Sequence, residues 1–237
     1  MTPSPVRRAL VLLRHGHSTG NGADAFSGWL DVPLSERGRR DAARAGELIA
    51  AHGVVPRVIH TSGLSRAIAT AELAAAGSGA VDADVRRSWR LNERHYGVLQ
   101  GRSRAEVRAE AGDELFACWR RSYEHAPPGG ESLADVRRRL LPYWHSAVAP
   151  GVARGEVTLV VAHGNSLRAL CMYLDGLDAD EVARLNIPTG VPFVYEFDEG
   201  FRPFPRGGRY LDPEAARAGI AEVLAQGGAP GETLTFG

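Results

Sequence analysis

Two short apolar runs, each closed by a histidine and a glycine, constrain this chain more than any other feature. Leu12-Leu13-Arg14-His15-Gly16 lies near the N-terminus, and Ala162-His163-Gly164-Asn165-Ser166 lies far downstream. A short continuous apolar run suits a strand buried on both faces. A strand that stops at His-Gly puts an imidazole at the edge of a sheet, beyond the strand ends where open α/β sheets bind their ligands. Two such edges side by side would gather two imidazoles and an arginine around one anion. That is the shape of a phosphoryl-transfer site that works without a metal.

The rest of the chain supplies the sheet and its cover. Residues 9–13, 54–59, 81–85, 157–162 and 191–197 read as strands. Ser35 is the expected N-cap of a helix running to about His52, with Ala42, Ala45, Leu48 and Ile49 at helical spacing and Gly53 just past its end. Further helices are expected at 64–75, 133–149, 166–174, 180–185 and 213–226, with a kink at Pro142. Residues 104–123 read as two helical pieces broken near Gly112. Strands alternating with helices predict an α/β fold, with a largely parallel sheet and helices on both faces. Neither an internal repeat nor a dividing linker is visible. Residues 1–237 are therefore expected to form a single domain, with a loose tail at 1–8 and a helix and tail at 213–237.

The bulk numbers close off other classes. The net charge is zero, which gives no reason to expect nucleic acid or an anionic membrane surface as a partner. The two cysteines, Cys118 and Cys171, make neither a disulfide framework nor a zinc spacing. Without a basic-then-apolar leader or a bilayer-length apolar stretch, the expectation is a reduced, cytoplasmic protein. All 28 residues counted as lysine or arginine are arginine. Compositional bias explains most of them, but guanidinium forks also bind phosphate bidentately, and position decides which ones do.

Position picks out a few. Arg14-His15-Gly16 follows the first strand, Thr61-Ser62 and Arg66 the second, Leu91-Asn92-Glu93 the third and His163-Gly164 the fourth. A neutral His15 imidazole can attack phosphorus if its other nitrogen is pinned, for instance by a backbone carbonyl. Gly16 allows a tight turn beside it. Arg14 and Arg66 can neutralise the equatorial phosphoryl oxygens, and His163 can donate to the same group. The first amides of the helix after Gly164 and Asn165 suit an anion. Glu93 is the carboxylate of the set and so the candidate general acid and base. His15 and His17 stand two apart, but no histidine and carboxylate set accompanies them, and no metal is expected.

These residues resemble the histidine phosphatase superfamily, and the longer blocks are similar to its 2,3-bisphosphoglycerate-dependent phosphoglycerate mutases. The blocks are Phe26-Ser27-Gly28-Trp29-Leu30-Asp31 with Leu34-Ser35; Thr61-Ser62 with Arg66-Ala67 and Thr70; WRLNERHY from Trp89 to Tyr96; Trp119-Arg120-Arg121-Ser122-Tyr123 with Pro127-Pro128; AHGNSLRAL from Ala162; and LNIPTGVP from Leu185. The likeness runs from about residue 9 to 230. It implies a three-layer α/β/α sandwich with a mostly parallel sheet. It also implies a phosphorylated His15, a pocket of Arg14, Arg66 and His163 around it, and Glu93 as proton donor and acceptor. Substrate would be held by Asn21, Ser27, Gly28, Tyr96, Arg104, Arg120, Arg121, Gly164 and Asn165. The partner would be a small phosphorylated metabolite, with 2,3-bisphosphoglycerate as primer. The reaction would interconvert 3- and 2-phosphoglycerate, in glycolysis and gluconeogenesis. The assembly would be a homo-oligomer, a dimer or tetramer.

The chain departs from that pattern in five places. His17 and Gly20 stand where the mutases usually have Glu and Trp, Ser27 where they have Thr, and Arg104 where they place a lysine. The connection from Tyr123 to Ser132 is far shorter than the loop that covers the site in bacterial mutases. A mutase must keep water from its phosphohistidine, whereas a phosphatase admits it. The short loop therefore favours the alternative of a phosphatase for a small phosphorylated metabolite. A non-catalytic phospholigand-binding module is a third reading, and the complete set of His15, Arg14, Arg66, Glu93 and His163 argues against it.

Overall fold

The apolar runs do become the centre of a sheet. In the computed structural model, which describes residues 8–225, the strands are β1 (Ala9–Arg14), β2 (Val58–Thr61), β3 (Asp84–Arg87), β4 (Thr158–Ala162), β5 (Phe193–Phe197) and β6 (Pro203–Tyr210). They form one sheet in the order β3-β2-β4-β1-β5-β6. Strands β1 to β4 run parallel; β5 is antiparallel to β1, and β6 antiparallel to β5.

Side chains alternate across a strand, so β1 feeds two cores. Leu10 and Leu12 join Val160, Leu167, Leu170 and Trp144 on one face. Ala9, Val11 and Leu13 join Ala45, Ile49, Ala67 and Ala71 on the other. The helices are α1 (Thr19–Gly22), α2 (Glu36–Ala51), α3 (Ser65–Ser78), α4 (Arg104–Ala111), α5 (Asp113–Arg121), α6 (Leu133–Tyr143), α7 (Ala149–Ala153), α8 (Gly164–Asp175), α9 (Ala179–Arg184) and α10 (Pro213–Ala225). The second core is covered by α2 and α3 and the first by α6 and α8, which gives the expected three-layer α/β/α sandwich. Ser35 caps α2 as expected, its hydroxyl accepting from the Gly38 amide.

Several elements differ from the sequence expectation. The second strand begins at Val58 instead of residue 54, and β3 begins at Asp84 instead of residue 81. Every residue of β3 is exposed, and Val81 is 76% exposed, so no burial marks that edge in the sequence. The expected helix 133–149 is interrupted. Pro142 lacks the N–H that would bond one turn back, α6 ends at Tyr143, and Trp144–Val148 is wound as a π-helical turn before α7. Strand β6 was not expected, because it contains Pro203, Pro205, Gly207 and Gly208, which depress strand propensity and are tolerated at an edge. Helix α8 starts at Gly164, two residues before the expected start. Met1 to Arg7 and everything after Ala225, including the expected last helical residue Gln226, lie outside the described residues.

One packing contact places the first histidine segment. The first turn of α2 lies directly on it: a Cβ at Gly38 would stand 1.9 Å from the His17 carbonyl oxygen, and one at Gly16 would stand 2.2 Å from the Gly38 carbonyl oxygen. Only backbone fits between them. Gly38→Ala is therefore expected to lower stability by at least about 2 kcal/mol, because backbone has to move to admit the methyl group. Urea denaturation measures this, and an unchanged midpoint would contradict the contact.

Candidate active site

Strands β1 and β4 pair with Arg14 beside Ala162. The next residues, His15 and His163, therefore leave the sheet together. The His15 amide still donates to the Ala162 carbonyl at 3.0 Å, and the two rings stand 4.9 Å apart, tilted by 57°. His15 Nδ1 lies 2.7 Å from the carbonyl oxygen of Gly16. A carbonyl only accepts, so Nδ1 carries the proton and Nε2 presents its lone pair. Gly16 is held in turn by Thr70, whose hydroxyl accepts from the Gly16 amide at 3.0 Å and donates to the Arg66 carbonyl at 2.7 Å. The Thr70 of the sequence block thus braces the turn under the imidazole.

Both histidines are held neutral. Burial pushes the His15 pKa well below the usual imidazole value, and Arg66 and Arg14 push it further, against the opposing pull of the Gly16 hydrogen bond. The same holds for His163, where burial acts first and Arg66, His15 and Arg14 follow. His163 Nε2 stands 2.8 Å from the Ser62 hydroxyl. Arg66 is only 1% exposed, and its guanidinium donates to the carbonyls of Gly28 and Leu30 at 2.8 and 2.9 Å. Arg14 donates to the Ile187 carbonyl at 2.7 Å. Its Nε is buried without a hydrogen-bond partner among the described residues.

Glu93 faces this pair from the far side. Its Oε1 accepts from the amides of Arg94 at 2.8 Å and Asn165 at 3.1 Å, and from Asn165 Nδ2 at 2.9 Å. Its backbone carbonyl is fixed by Trp29 Nε1 at 2.6 Å and by Arg139 at 2.9 Å. Gly164 sits between Arg14 and Glu93: an added Cβ there would lie 3.6 Å from the Arg14 guanidinium carbon and 3.7 Å from Glu93 Oε2. Tyr96 accepts from Asn165 Nδ2 at 3.1 Å. Burial raises the phenol pKa, but the Arg94 guanidinium, 4.7 Å over its ring, helps pull the net value below normal.

The remaining arginines line the same cavity. Arg120 and Arg121 are the last two residues of α5, and both side chains reach the one cavity. Burial and neighbouring cations lower both to about 9, so both stay charged at neutral pH. Arg94 fixes that helix end by donating to the Trp119 and Arg120 carbonyls, each at 2.8 Å. Arg104 joins them, tethered to Asp24 at 2.6 Å.

Of the sequence-derived site residues, Arg14, His15, Arg66, Glu93, Asn21, Ser27, Gly28, Tyr96, Arg104, Arg120, Arg121, Gly164 and Asn165 all line one cavity, and His163 packs against His15 at its floor. Sequence reasoning missed Arg168, Asn186, Ser18 and Val223 on its wall. Arg168 and Asn186 lie inside blocks that were legible, but nothing in an arginine on a helix announces an inward direction. At Gly20 an added Cβ would stand 2.1 Å from the Ser27 hydroxyl, so a larger residue there requires the Ser27 side chain to turn away. His17 contacts the Ser35 hydroxyl at 2.9 Å.

With six arginines and one carboxylate on its wall, the cavity is built for a multiply charged anion. No group of three or more His, Cys, Asp or Glu side chains among the described residues is placed to hold a metal. No helix among them is long and apolar enough to cross a membrane. A buried neutral imidazole with a free lone pair, ringed by guanidinium groups and facing a carboxylate, can accept and release a phosphoryl group.

Comparison with known proteins agrees with that class. A profile of the histidine phosphatase superfamily (branch 1) matches residues 10–204, and the chain belongs to this superfamily. It is 51% identical to a 2,3-bisphosphoglycerate-dependent phosphoglycerate mutase of Clavibacter sepedonicus, over 93% of this chain and 97% of that protein. It is 50% identical to the protein of the same name from Thermobifida fusca, over 92% and 98%. Among solved structures it resembles a mycobacterial glucosyl-3-phosphoglycerate phosphatase, with a TM-score of 0.69, 35% identity and coverage of 79% and 92%.

The buried neutral histidines carry a stability signature. His60, burial-lowered to about 4 and 2.8 Å from the Tyr143 hydroxyl, joins His15 and His163 in this. A depressed imidazole leaves the folded state neutral while the unfolded chain takes up protons below about pH 6.5. Stability from these groups is thus complete above pH 6.5 and falls as the pH drops. The expected slope below that point approaches about 1.4 kcal/mol per pH unit for each histidine. Urea titrations between pH 7.5 and 5 check this, and a flat profile would show that the rings protonate in the folded protein.

Proposed function

We propose that this chain is a 2,3-bisphosphoglycerate-dependent phosphoglycerate mutase that interconverts 3- and 2-phosphoglycerate through a phosphohistidine at His15. The observation that carries the reading is the cavity itself: a pinned, neutral His15 and an opposed Glu93 within a wall of arginines numerous enough for a phosphate and a carboxylate at once. Similarity to the two proteins named as mutases supports it.

His15 Nε2 attacks phosphorus, the bond from phosphorus to the substrate oxygen breaks, and Glu93 gives its proton to the departing oxygen. In the second half Glu93 takes the proton of the incoming hydroxyl as that oxygen attacks the phosphoryl group on His15. Arg14 and Arg66 neutralise the group in transit, with His163 beside it. Arg104, Arg120 and Arg121 hold the second anionic group, with Tyr96, Asn21, Ser27, Gly28 and the start of α8 shaping the space. The buried Nε atoms of Arg14 and Arg121, which have no hydrogen-bond partner among the described residues, fit an added bisphosphate. When bound, 2,3-bisphosphoglycerate supplies the phosphoryl group that primes His15. This reading carries with it glycolytic work in the cytoplasm. The exposed β3 edge supports a homo-oligomer, because open sheet edges are usually covered.

One observation favours a second reading. Residues 122–132 do not line the cavity; they dock on the turn at residues 95–98, through Val98 N to Pro128 O at 3.1 Å and Glu131 N to His95 O at 2.8 Å. The aligned stretch with the first relative spans 244 positions, more than this chain's 237 residues, so the relative carries residues that this chain lacks. An uncovered phosphohistidine meets water, and the outcome would then be a phosphatase acting on a small phosphorylated metabolite.

Incubation with 3-phosphoglycerate, with and without 2,3-bisphosphoglycerate, separates the two. The mutase reading expects 2-phosphoglycerate formation that depends on the primer. Steady release of phosphate without primer would replace it with the phosphatase. In either case His15→Ala is expected to abolish the labelled phosphoenzyme, and Glu93→Gln to slow transfer by about 10²–10⁴-fold with much less effect on KM. Phosphoenzyme surviving in His15→Ala would overturn the nucleophile.

A further inference from the structure

We propose that Arg168 is a positioning residue that decides which oxygen of Glu93 moves the proton; this rests on the reading of Glu93 as acid and base. Arg168 is 5% exposed and sits one turn after Asn165 on α8. Its Nε and Nη2 donate to the Val182 carbonyl at 3.1 and 2.6 Å, and its Nη1 donates to Asn165 Oδ1 at 2.9 Å.

The chemistry of that contact is one-sided. A guanidinium has donors and no acceptor, so Asn165 has to present its oxygen to Arg168. The amide nitrogen then faces the other way, onto Glu93 Oε1 at 2.9 Å and the Tyr96 hydroxyl at 3.1 Å. Two backbone amides already reach the same Oε1, at 2.8 and 3.1 Å. Three donors saturate Oε1 and stabilise its charge. Oε2 receives none of the three and borders Gly164 and Arg14 beside the phosphoryl site, which makes it the oxygen that carries the proton. Turned over, the same amide would set its own oxygen against Oε1, acceptor against acceptor. Arg168 prevents this without touching Glu93 or the reacting atoms. Anchored on α9 through Val182, it holds a fixed fork that the Asn165 amide has to match.

The test is the acid limb of kcat/KM against pH for 3-phosphoglycerate with 2,3-bisphosphoglycerate, following both isomerisation and free phosphate. Arg168→Met is expected to move the limb up by about one pH unit, as loss of a hydrogen bond to the charged carboxylate requires. In an Asn165→Ala background the same substitution has no amide to release, and the limb should move no further. An equal shift in both backgrounds would reduce Arg168 to a distant charge, and no shift in either would reduce it to a tie between α8 and α9; both outcomes overturn the proposal. The titration of the substrate's own phosphate is common to all variants and cancels in the comparison. Should Arg168→Met fail to fold, Arg168→Lys keeps the charge but lacks the fork that spans Val182 and Asn165. It is expected to shift the limb by at least half as much, and an unmoved limb overturns the proposal. Labelling of wild-type His15 with radioactive 2,3-bisphosphoglycerate keeps the underlying reading separate. A missing phosphoenzyme removes phosphoryl transfer itself, whereas a normal phosphoenzyme with unmoved limbs removes only the role of Arg168.

Discussion

Because β1 and β4 run parallel with Arg14 opposite Ala162, the residues that follow emerge side by side, and no loop has to be ordered to bring them together. The register is fixed by burial. Leu10 and Leu12 point into one core and Val11 and Leu13 into the other, so a slip of one residue would exchange the two sets between faces. The 4.9 Å separation of the imidazoles is thus an outcome of core packing. Precision here comes from the most deeply buried part of the molecule, which moves least. The Gly16–Gly38 contact extends the same rigidity one residue beyond the strand.

The electrostatics follow from that placement. Arginines gathered in a partly buried cavity repel one another, and burial penalises each charge. Arg120 and Arg121 register this as lowered pKa values, yet both remain cationic. Backbone carbonyls take up much of the cost: Ile187 for Arg14, Gly28 and Leu30 for Arg66, and Val182 for Arg168. Carbonyl partners orient a guanidinium without cancelling its charge, so the field stays available to an incoming anion. Burial first, and then the same field, disfavours the charged form of His15 and His163 and leaves a ring nitrogen able to attack.

The sequence was most legible where burial writes a pattern. The β1 and β4 runs, the Ser35 cap and the polar residues at strand ends were readable because apolar continuity and capping chemistry are local. The edges were not. Strand β3 buries nothing, and β6 is built from residues that oppose strands, so each exists because a neighbouring strand offers hydrogen bonds. The kink at Pro142 was visible, but the π-helical turn after it was not, since that depends on how Trp144 and Val148 seat in the core. At the site, residue types pointed to a chemistry but not to the side chains that support it. Arg94, Arg139 and Arg168 look like any other arginine among the 28, and only the fold shows that their guanidinium groups point inward onto backbone carbonyls.

The loop after α5 shows how one connection can bear on chemistry without touching it. Glu131 is anchored twice, by Arg139 at 2.8 Å and by the His95 amide at 2.8 Å. Arg139 also fixes the carbonyls of Arg90, Asn92 and Glu93. The end of the loop therefore braces the segment that carries Glu93, while its middle rests on the turn at residues 95–98. A longer loop anchored at the same two ends would keep that brace and add cover over the cavity. On the proposed roles, the brace on Glu93 and the access of water to the cavity would be separable. If His15 and Glu93 act as proposed, loop length would bear on the acceptor of the phosphoryl group, while the strand end holding His15 and the braced segment holding Glu93 keep their places.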